Sequence, residues 1–257
     1  MIIGAQLYSV RDKCSTDEDI RATFAEMKRI GYTTIQVSGF NYDAEVVHQA
    51  AVENGLHIGL THTPIPEIIE NTDEVIRKHK IIGADMVGIG VGFQYRDENG
   101  VVDVDKMIEE LAPAVKKIND AGLMFGYHNH AFEFFGEVGS RTIDEIYAKT
   151  DWKFILDTGW ADLANSADVK EDIERFKDRL VYVHLKDFKK QVEEDGKKVD
   201  KIVPLYYGDT PIDYIIEALN NTNIIAAYVE QDRAPQSGVS WNEMKKSIDG
   251  LKNNGWV

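Results

Sequence analysis

Short runs of β-branched and apolar residues recur along the chain at 2–7, 33–37, 57–61, 86–90, 123–128, 153–157, 181–186 and 224–230. Runs of this length, bounded by turn residues, read as buried strands. Between them apolar positions return every three or four residues near 17–30, 43–54, 67–82, 104–121, 141–149, 168–178 and 211–220, with a last such segment near 241–253. That spacing predicts amphipathic helices. Thr16 and the acidic Asp17-Glu18-Asp19 have the chemistry of a helix start, and Gly31, Gly55, Gly83 and Gly122 fall where helices should end. Eight strands, each followed by a helix, predict an α/β fold of the closed (β/α)8 kind, a TIM barrel, with 1–257 as one domain. An open doubly wound sheet is the alternative, but the turn after the first strand, QLYSVRD, has no glycine for a phosphate cradle. GIGVGF at 88–93 misses the GxGxxG spacing and reads as a close-packed strand end. The longest connection, 187–211, carries Asp195-Gly196 between charged runs. It predicts a hairpin, either a flap over the barrel mouth or a solvated excursion.

Composition narrows the partners. The 257 residues are 43% hydrophobic, enough for a large core, and 28% charged. The 44 acidic residues outnumber the 29 basic ones, giving a net charge of −15, which opposes nucleic acid and anionic membranes alike. No window approaches the roughly 20 apolar residues of a membrane span. The N-terminal MIIGAQLYSV lacks the pattern of a signal peptide, so the expected compartment is the cytoplasm. Cys14 is the one cysteine, so no internal disulfide forms; its setting, RDKCSTDED, predicts a polar loop and an incidental role. Self-association into a homo-oligomer is left open.

In a barrel of this kind chemistry collects at the C-terminal strand ends. Those positions are rich in polar residues: Gln6, Tyr8, Gln36, His62, His128, His130, Asp157, His184, Lys186 and Glu230. Because strand side chains alternate, His128 and His130 share a face while Asn129 points away, and His184 and Lys186 share another. Asp157, His184 and Glu230 end three consecutive strands in FILDTGW, VYVHLKD and AYVEQDR. Each follows apolar residues, and a buried carboxylate without a partner is costly. Two carboxylates and an imidazole facing one another predict one divalent metal ion, with manganese, zinc, cobalt or iron suiting the mixed oxygen and nitrogen donors.

In this order along the chain, GAQLYSVRD, IGYTTIQVSG, YHNHAFEF, LDTGW, VHLKD, GDTPID and YVEQD resemble the xylose isomerase-like TIM barrels, the sugar phosphate isomerases/epimerases. That group includes ketohexose 3-epimerases, inosose dehydratase and 3-dehydroshikimate dehydratase. The resemblance implies one metal held by a carboxylate of the fifth strand, an Asp of the sixth, a His of the seventh and a Glu of the eighth. The last three match Asp157, His184 and Glu230. At the fifth this chain has His128, so either His128 replaces the usual Glu or Glu133 reaches in from the loop. His130 matches the base of the dehydratase-type relatives. Trp160 stands where several relatives have a substrate-contacting histidine, and would instead stack on a sugar.

The implied activity is a metal-dependent isomerase or epimerase of a sugar, keto-sugar or cyclitol that removes a proton next to a carbonyl. Catalytic candidates are His130, Glu133 and Glu230, with Lys186 stabilising the oxyanion. His62, Tyr8 and Trp160 are the candidate substrate contacts. GDTPID holds no basic residue, which favours an unphosphorylated substrate. The alternatives are a dehydratase or lyase of the inosose dehydratase type and a non-catalytic sugar-binding barrel. An endonuclease IV-like enzyme shares the barrel but needs three zinc ions, against the seven histidines and acidic charge here.

Overall fold

The predicted strands become a parallel barrel whose interior is plugged at one end and polar at the other. In the computed structural model, which describes every residue except 99, the strands are β1 (Ile2–Gln6), β2 (Thr34–Val37), β3 (His57–His62), β4 (Met86–Ile89), β5 (Met124–His128), β6 (Lys153–Asp157), β7 (Leu180–Leu185) and, after a hairpin, β10 (Ala226–Val229). They close in the order β1-β10-β7-β6-β5-β4-β3-β2, all parallel. The helices form the outer ring: α1 (Asp17–Ile30), α2 (Ala44–Asn54), α3 (Ile65–Glu70), α4 (Thr72–Ile82), α5 (Val104–Asp120), α6 (Thr142–Lys149), α7 (Thr158–Ala164), α8 (Val169–Phe176), α9 (Ile212–Leu219) and α10 (Ser240–Asn253).

Local chemistry sets these boundaries. Thr16 and Asp19 form a reciprocal capping box at the start of α1, and Gly31 follows its last turn at φ 120°. Gly55 and Gly83 end α2 and α4 in the left-handed conformation that glycine adopts without strain.

Two apolar layers hold the barrel. Outward-facing strand residues pack under the helices. Inside, Leu60, Met86, Ile155, Tyr182, Ala226 and Tyr228 form a separate buried cluster. The two tyrosines fit because their neighbours are glycines: a Cβ on Gly59 would lie 2.1 Å from the Tyr228 hydroxyl, and one on Gly4 would lie 2.5 Å from its ring. Tyr182 donates to Asp85 at 2.9 Å, and Thr34 and Tyr228 share a hydrogen bond at 3.0 Å, so the plug carries its polar atoms satisfied.

Several expectations are corrected. The segment 67–82 is two helices, not one, because the chain turns at Asn71 (φ −128°, ψ 36°) between α3 and α4. The short α7 was not predicted; TGWADLA is too brief and too glycine-interrupted to show helical period. Cys14 lies in the expected loop before α1, but its side chain is buried, with burial pushing its thiol up to about 12. The hairpin is present, as β8 (Asp187–Glu194) and β9 (Lys197–Val203) joined at Asp195 (φ 49°) and Gly196 (φ 73°). Its base is anchored by Phe188 against Trp160 (4.7 Å between ring centroids) and by Lys190 on Asp162 (2.8 Å). No hairpin residue lines the cavity at the mouth among the described residues, which does not fit a flap. GIGVGF is the close-packed strand end expected: a Cβ on Gly88 would lie 2.6 Å from the Thr61 carbonyl oxygen.

Candidate functional site

The strand pleat carries four polar side chains to one place. Ile155, Tyr182 and Tyr228 belong to the interior plug, and two residues further along the same strand faces come Asp157, His184 and Glu230. His128 ends β5 beside them. One donor atom from each of His128, Asp157, His184 and Glu230 lies within 4.8 Å of all the others, and all four residues are buried. His128 Nε2 is 3.6 Å from Asp157 Oδ2 and 3.9 Å from Glu230 Oε2. His184 Nδ1 is 2.7 Å from Glu230 Oε2. Of the four, His128 and Glu230 line a cavity of about 480 Å3 at the C-terminal barrel end, together with Gln6, Tyr8, His62, Phe93, His130 and Lys186.

Neighbouring groups fix how these side chains face. His128 Nδ1–H donates to the Gly90 carbonyl at 3.0 Å, which turns Nε2 and its lone pair inward. His184 Nε2–H donates to Gln36 Oε1 at 2.6 Å, which aims Nδ1 at Glu230 Oε2, 2.7 Å away. A ring nitrogen and a carboxylate oxygen that close share a proton or a cation between them. Gln6 Nε2 donates to Glu230 Oε1 at 2.8 Å. Asp157 is doubly used: Oδ1 accepts from Trp160 N at 2.9 Å as the cap of α7, while Oδ2 turns to the cluster. His128 Nε2 is buried without a hydrogen-bond partner, and Asp157 Oδ2 meets the Lys186 ammonium at 2.9 Å. This donor set, with His128 Nε2 left unpartnered, fits a divalent ion.

Lys186 is the site's buried cation, 1% exposed. Its Nζ lies 2.9 Å from Asp157, 3.2 Å from Glu230 and 2.9 Å from Asp232. Burial opposes its charge, but the three carboxylates outweigh that and hold the ammonium well above its ordinary pKa. Burial likewise works against the charge of Glu230, yet Lys186 and His184 keep it well below the usual carboxylate range. Asp232 is pushed up to about 7, by burial first. It was not among the expected site residues, although its place two residues beyond Glu230 in VEQD was a usable signal.

The remaining expected residues divide. His62 lines the cavity with its ring 4.8 Å from that of His128, its Nε2 unpartnered, and burial holding it well below its ordinary pKa. His130 also lines the cavity, between Phe93 (5.6 Å) and Trp160 (5.6 Å). Tyr8 is on the opposite wall, with the Arg11 guanidinium 3.7 Å over its ring. Glu133 is not brought to the cluster: one oxygen accepts from Tyr127 Oη and the other from His130 N, both at 2.8 Å. Its burial pushes the carboxyl up to about 8. Trp160 stands behind Lys186, 5.0 Å from Nζ, and is not on the cavity wall. Asn129 points away from the histidine face as alternation predicts, but it clamps β5 to β6: Oδ1 accepts from Asp157 N (2.9 Å) and Nδ2 donates to Asp157 O (3.2 Å).

Comparison with known proteins agrees with this architecture. A sugar phosphate isomerase/epimerase from Parabacteroides distasonis superposes with a TM-score of 0.77 at 20% identity, covering 99% of each chain. A probable 3-DHS dehydratase from Bacillus anthracis gives 0.69 at 15% identity, over 95% of this chain and 98% of that one. An L-ribulose 3-epimerase gives 0.65 at 14% identity, over 98% and 94%. At these identities the likeness establishes the fold. No curated protein matches the chain. The sequence profile of the xylose isomerase-like TIM barrel family matches residues 24–253, nearly the whole barrel, and the chain belongs to that family.

Proposed function

We propose that the protein is a divalent-metal-dependent isomerase or epimerase of an unphosphorylated sugar, keto-sugar or cyclitol. One observation carries this reading: four potential ligands from four strands meet within 4.8 Å, and two of them, His128 and Glu230, line a cavity of small-molecule size. His128, Asp157, His184 and Glu230 would hold the ion, with His128 at the fifth-strand position. Charge balance leaves room for a cation, because Asp157 and Glu230 are held ionised and exceed the single Lys186 by one negative charge, or by two when Asp232, pushed up to about 7, is ionised as well. Bound there, the ion would polarise a substrate carbonyl and make the adjacent C–H acidic.

This chain's residues would do the rest. His130 stands on the cavity wall as the base that receives the carbon-bound proton, with Glu230 as a second carboxylate base beside the reacting carbon. Lys186 offers an ammonium to the developing oxyanion. His62, with Nε2 unpartnered, hydrogen-bonds a substrate hydroxyl, and Tyr8 supplies a wall. Glu133 acts through His130, by fixing its backbone, and not as a ligand. Trp160 packs Lys186 into place.

Elimination of water uses the same first step, and His130, two residues beyond His128, also suits a dehydratase. Metal analysis of the purified protein, followed by incubation with keto-sugars and cyclitols in deuterated water, tests the reading. Deuterium in a rearranged or unaltered carbon skeleton supports an isomerase or epimerase, and loss of water supports a dehydratase. Bound metal with neither outcome would leave a sugar-binding barrel and remove the catalytic reading.

A further inference from the structure

The cavity over the four-residue cluster does not end at His62. A second lobe of about 520 Å3 adjoins it, and the two share Gly39, His62, Thr63 and Pro64. Its far walls are Phe40, Asn41 and Tyr42 from the loop after β2, and Glu67, Lys78 and His79 from α3 and α4. Each lobe alone falls within the roughly 300–1,000 Å3 range of small-molecule sites. None of the chemistry argued above uses the second one.

A hydrogen-bond chain sets the polarity of the junction. The Val75 carbonyl can only accept, so His79 Nδ1 is its donor at 2.7 Å. Burial lowers His79 to about 4, so the ring is neutral and its Nε2 must accept. Thr61 therefore donates to Nε2 at 2.7 Å, and Thr63, 2.8 Å away, donates in turn to the Thr61 oxygen. With its hydrogen committed, Thr63 offers the cavity only lone pairs. It suits a ligand hydroxyl and repels a phosphate or carboxylate oxygen.

The lobe's charge agrees. Lys78 is the one cation among its lining residues and is paired with Glu67 at 3.3 Å. Burial pushes Tyr42 up to about 12, so its phenol keeps its proton. Phe40 and Tyr42 meet edge to face, 6.1 Å between centroids, giving an apolar surface beside the polar groups of Asn41, Glu67 and Lys78. A neutral sugar ring combines the same two features, C–H faces and a rim of hydroxyls.

We propose that the site accepts a two-unit saccharide, with the reacting sugar over the metal-ligand cluster and a second uncharged sugar in the lobe between Phe40–Tyr42 and α4, its hydroxyl donating to Thr63. This rests on the reading of the cluster as the reacting end. Calorimetric titration of the manganese-loaded protein with cellobiose, maltose and lactose, each beside its free reducing-end sugar, glucose, as the monosaccharide partner, tests it. At least one disaccharide should bind about tenfold more tightly than its monosaccharide partner. Tyr42→Ala and the near-isosteric Thr63→Val should each collapse that ratio towards one. If Tyr42→Ala fails to retain manganese, Thr63→Val decides alone. Equal affinities for all three pairs, or a ratio unmoved by Thr63→Val, would overturn the proposal. Deuterium exchange is a separate readout: exchange on monosaccharides with no disaccharide preference sinks only the second lobe, and disaccharide preference without exchange sinks only the isomerase.

Discussion

Lys186 is a fully buried ammonium held by three carboxylates, and the consequences of removing it follow from electrostatics alone. In Lys186→Met the packing is largely kept, but Asp157, Glu230 and Asp232 are left facing one another without a cation. Leaving buried charge uncompensated costs about 3–5 kcal/mol. The variant should therefore show that loss in urea denaturation without metal, and regain part of it when manganese is added. A loss of the same size with and without manganese would mean that Lys186 and the ion do not share these carboxylates. Glu133 makes a second residue-level prediction. Burial raises its folded pKa from 4.5 to about 8. Below the unfolded value both states carry the proton and its contribution is complete. Between about 4.5 and 8 the unfolded chain ionises first, so stability falls as pH rises, by an amount on the order of a few kcal/mol. Glu133→Gln, which cannot ionise, should flatten the urea-midpoint profile over pH 5–8, and parallel profiles would contradict the shift. Asp157, His184 and Glu230 were legible as a facing group from their strand ends, whereas His128 was one strand-end histidine among others and joined them only through the family resemblance, with Glu133 as the alternative. The direction in which Glu133 turns was not legible, because a loop carboxylate has no periodicity to fix its side.

At the scale of elements, the cluster is tied to secondary structure through Asp157, which ends β6, caps α7 and faces the cluster with its other oxygen. The two roles can be separated. Asp157→Asn keeps a side-chain oxygen for the Trp160 N–H, so α7 should stay capped while a charged ligand is lost. Asp157→Ala loses both, and an absent cap adds roughly 0.5–2 kcal/mol. Metal content should fall in both variants, whereas only the alanine variant should show the added destabilisation once both are compared metal-free by thermal melting. Equal metal content in wild type and Asp157→Asn would take Asp157 out of the ligand set. The elements that sequence revealed are those with strong period or strong punctuation: α1 with its capping box, α5 with its long amphipathic stripe, and the hairpin with Asp195-Gly196. Those it hid are short or interrupted. The break at Asn71 and the seven residues of α7 leave no repeat long enough to detect.

Across the whole molecule, the four side chains come from β5, β6, β7 and β10, which stand at consecutive positions around half the barrel although 128 and 230 lie far apart in sequence. An ion held by all four would connect strands that the unfolded chain separates widely, so its binding energy would appear as stability of the entire barrel. A ligand bound only by the folded state adds RT ln(1 + [L]/Kd), about 2.7 kcal/mol at a hundredfold excess over Kd. Stripping the protein with a chelator should lower the melting temperature. Manganese or zinc should restore it in proportion to the logarithm of metal concentration, while calcium, which prefers an all-oxygen shell, should restore less. His128→Ala should weaken that dependence without abolishing folding, since the interior plug of Leu60, Tyr182 and Tyr228 and the helix layer outside it remain intact. A melting temperature indifferent to chelator and to all three metals would show that nothing binds across these strands, and the side chains gathered at the mouth would then serve the barrel only as a buried ionic network around Lys186.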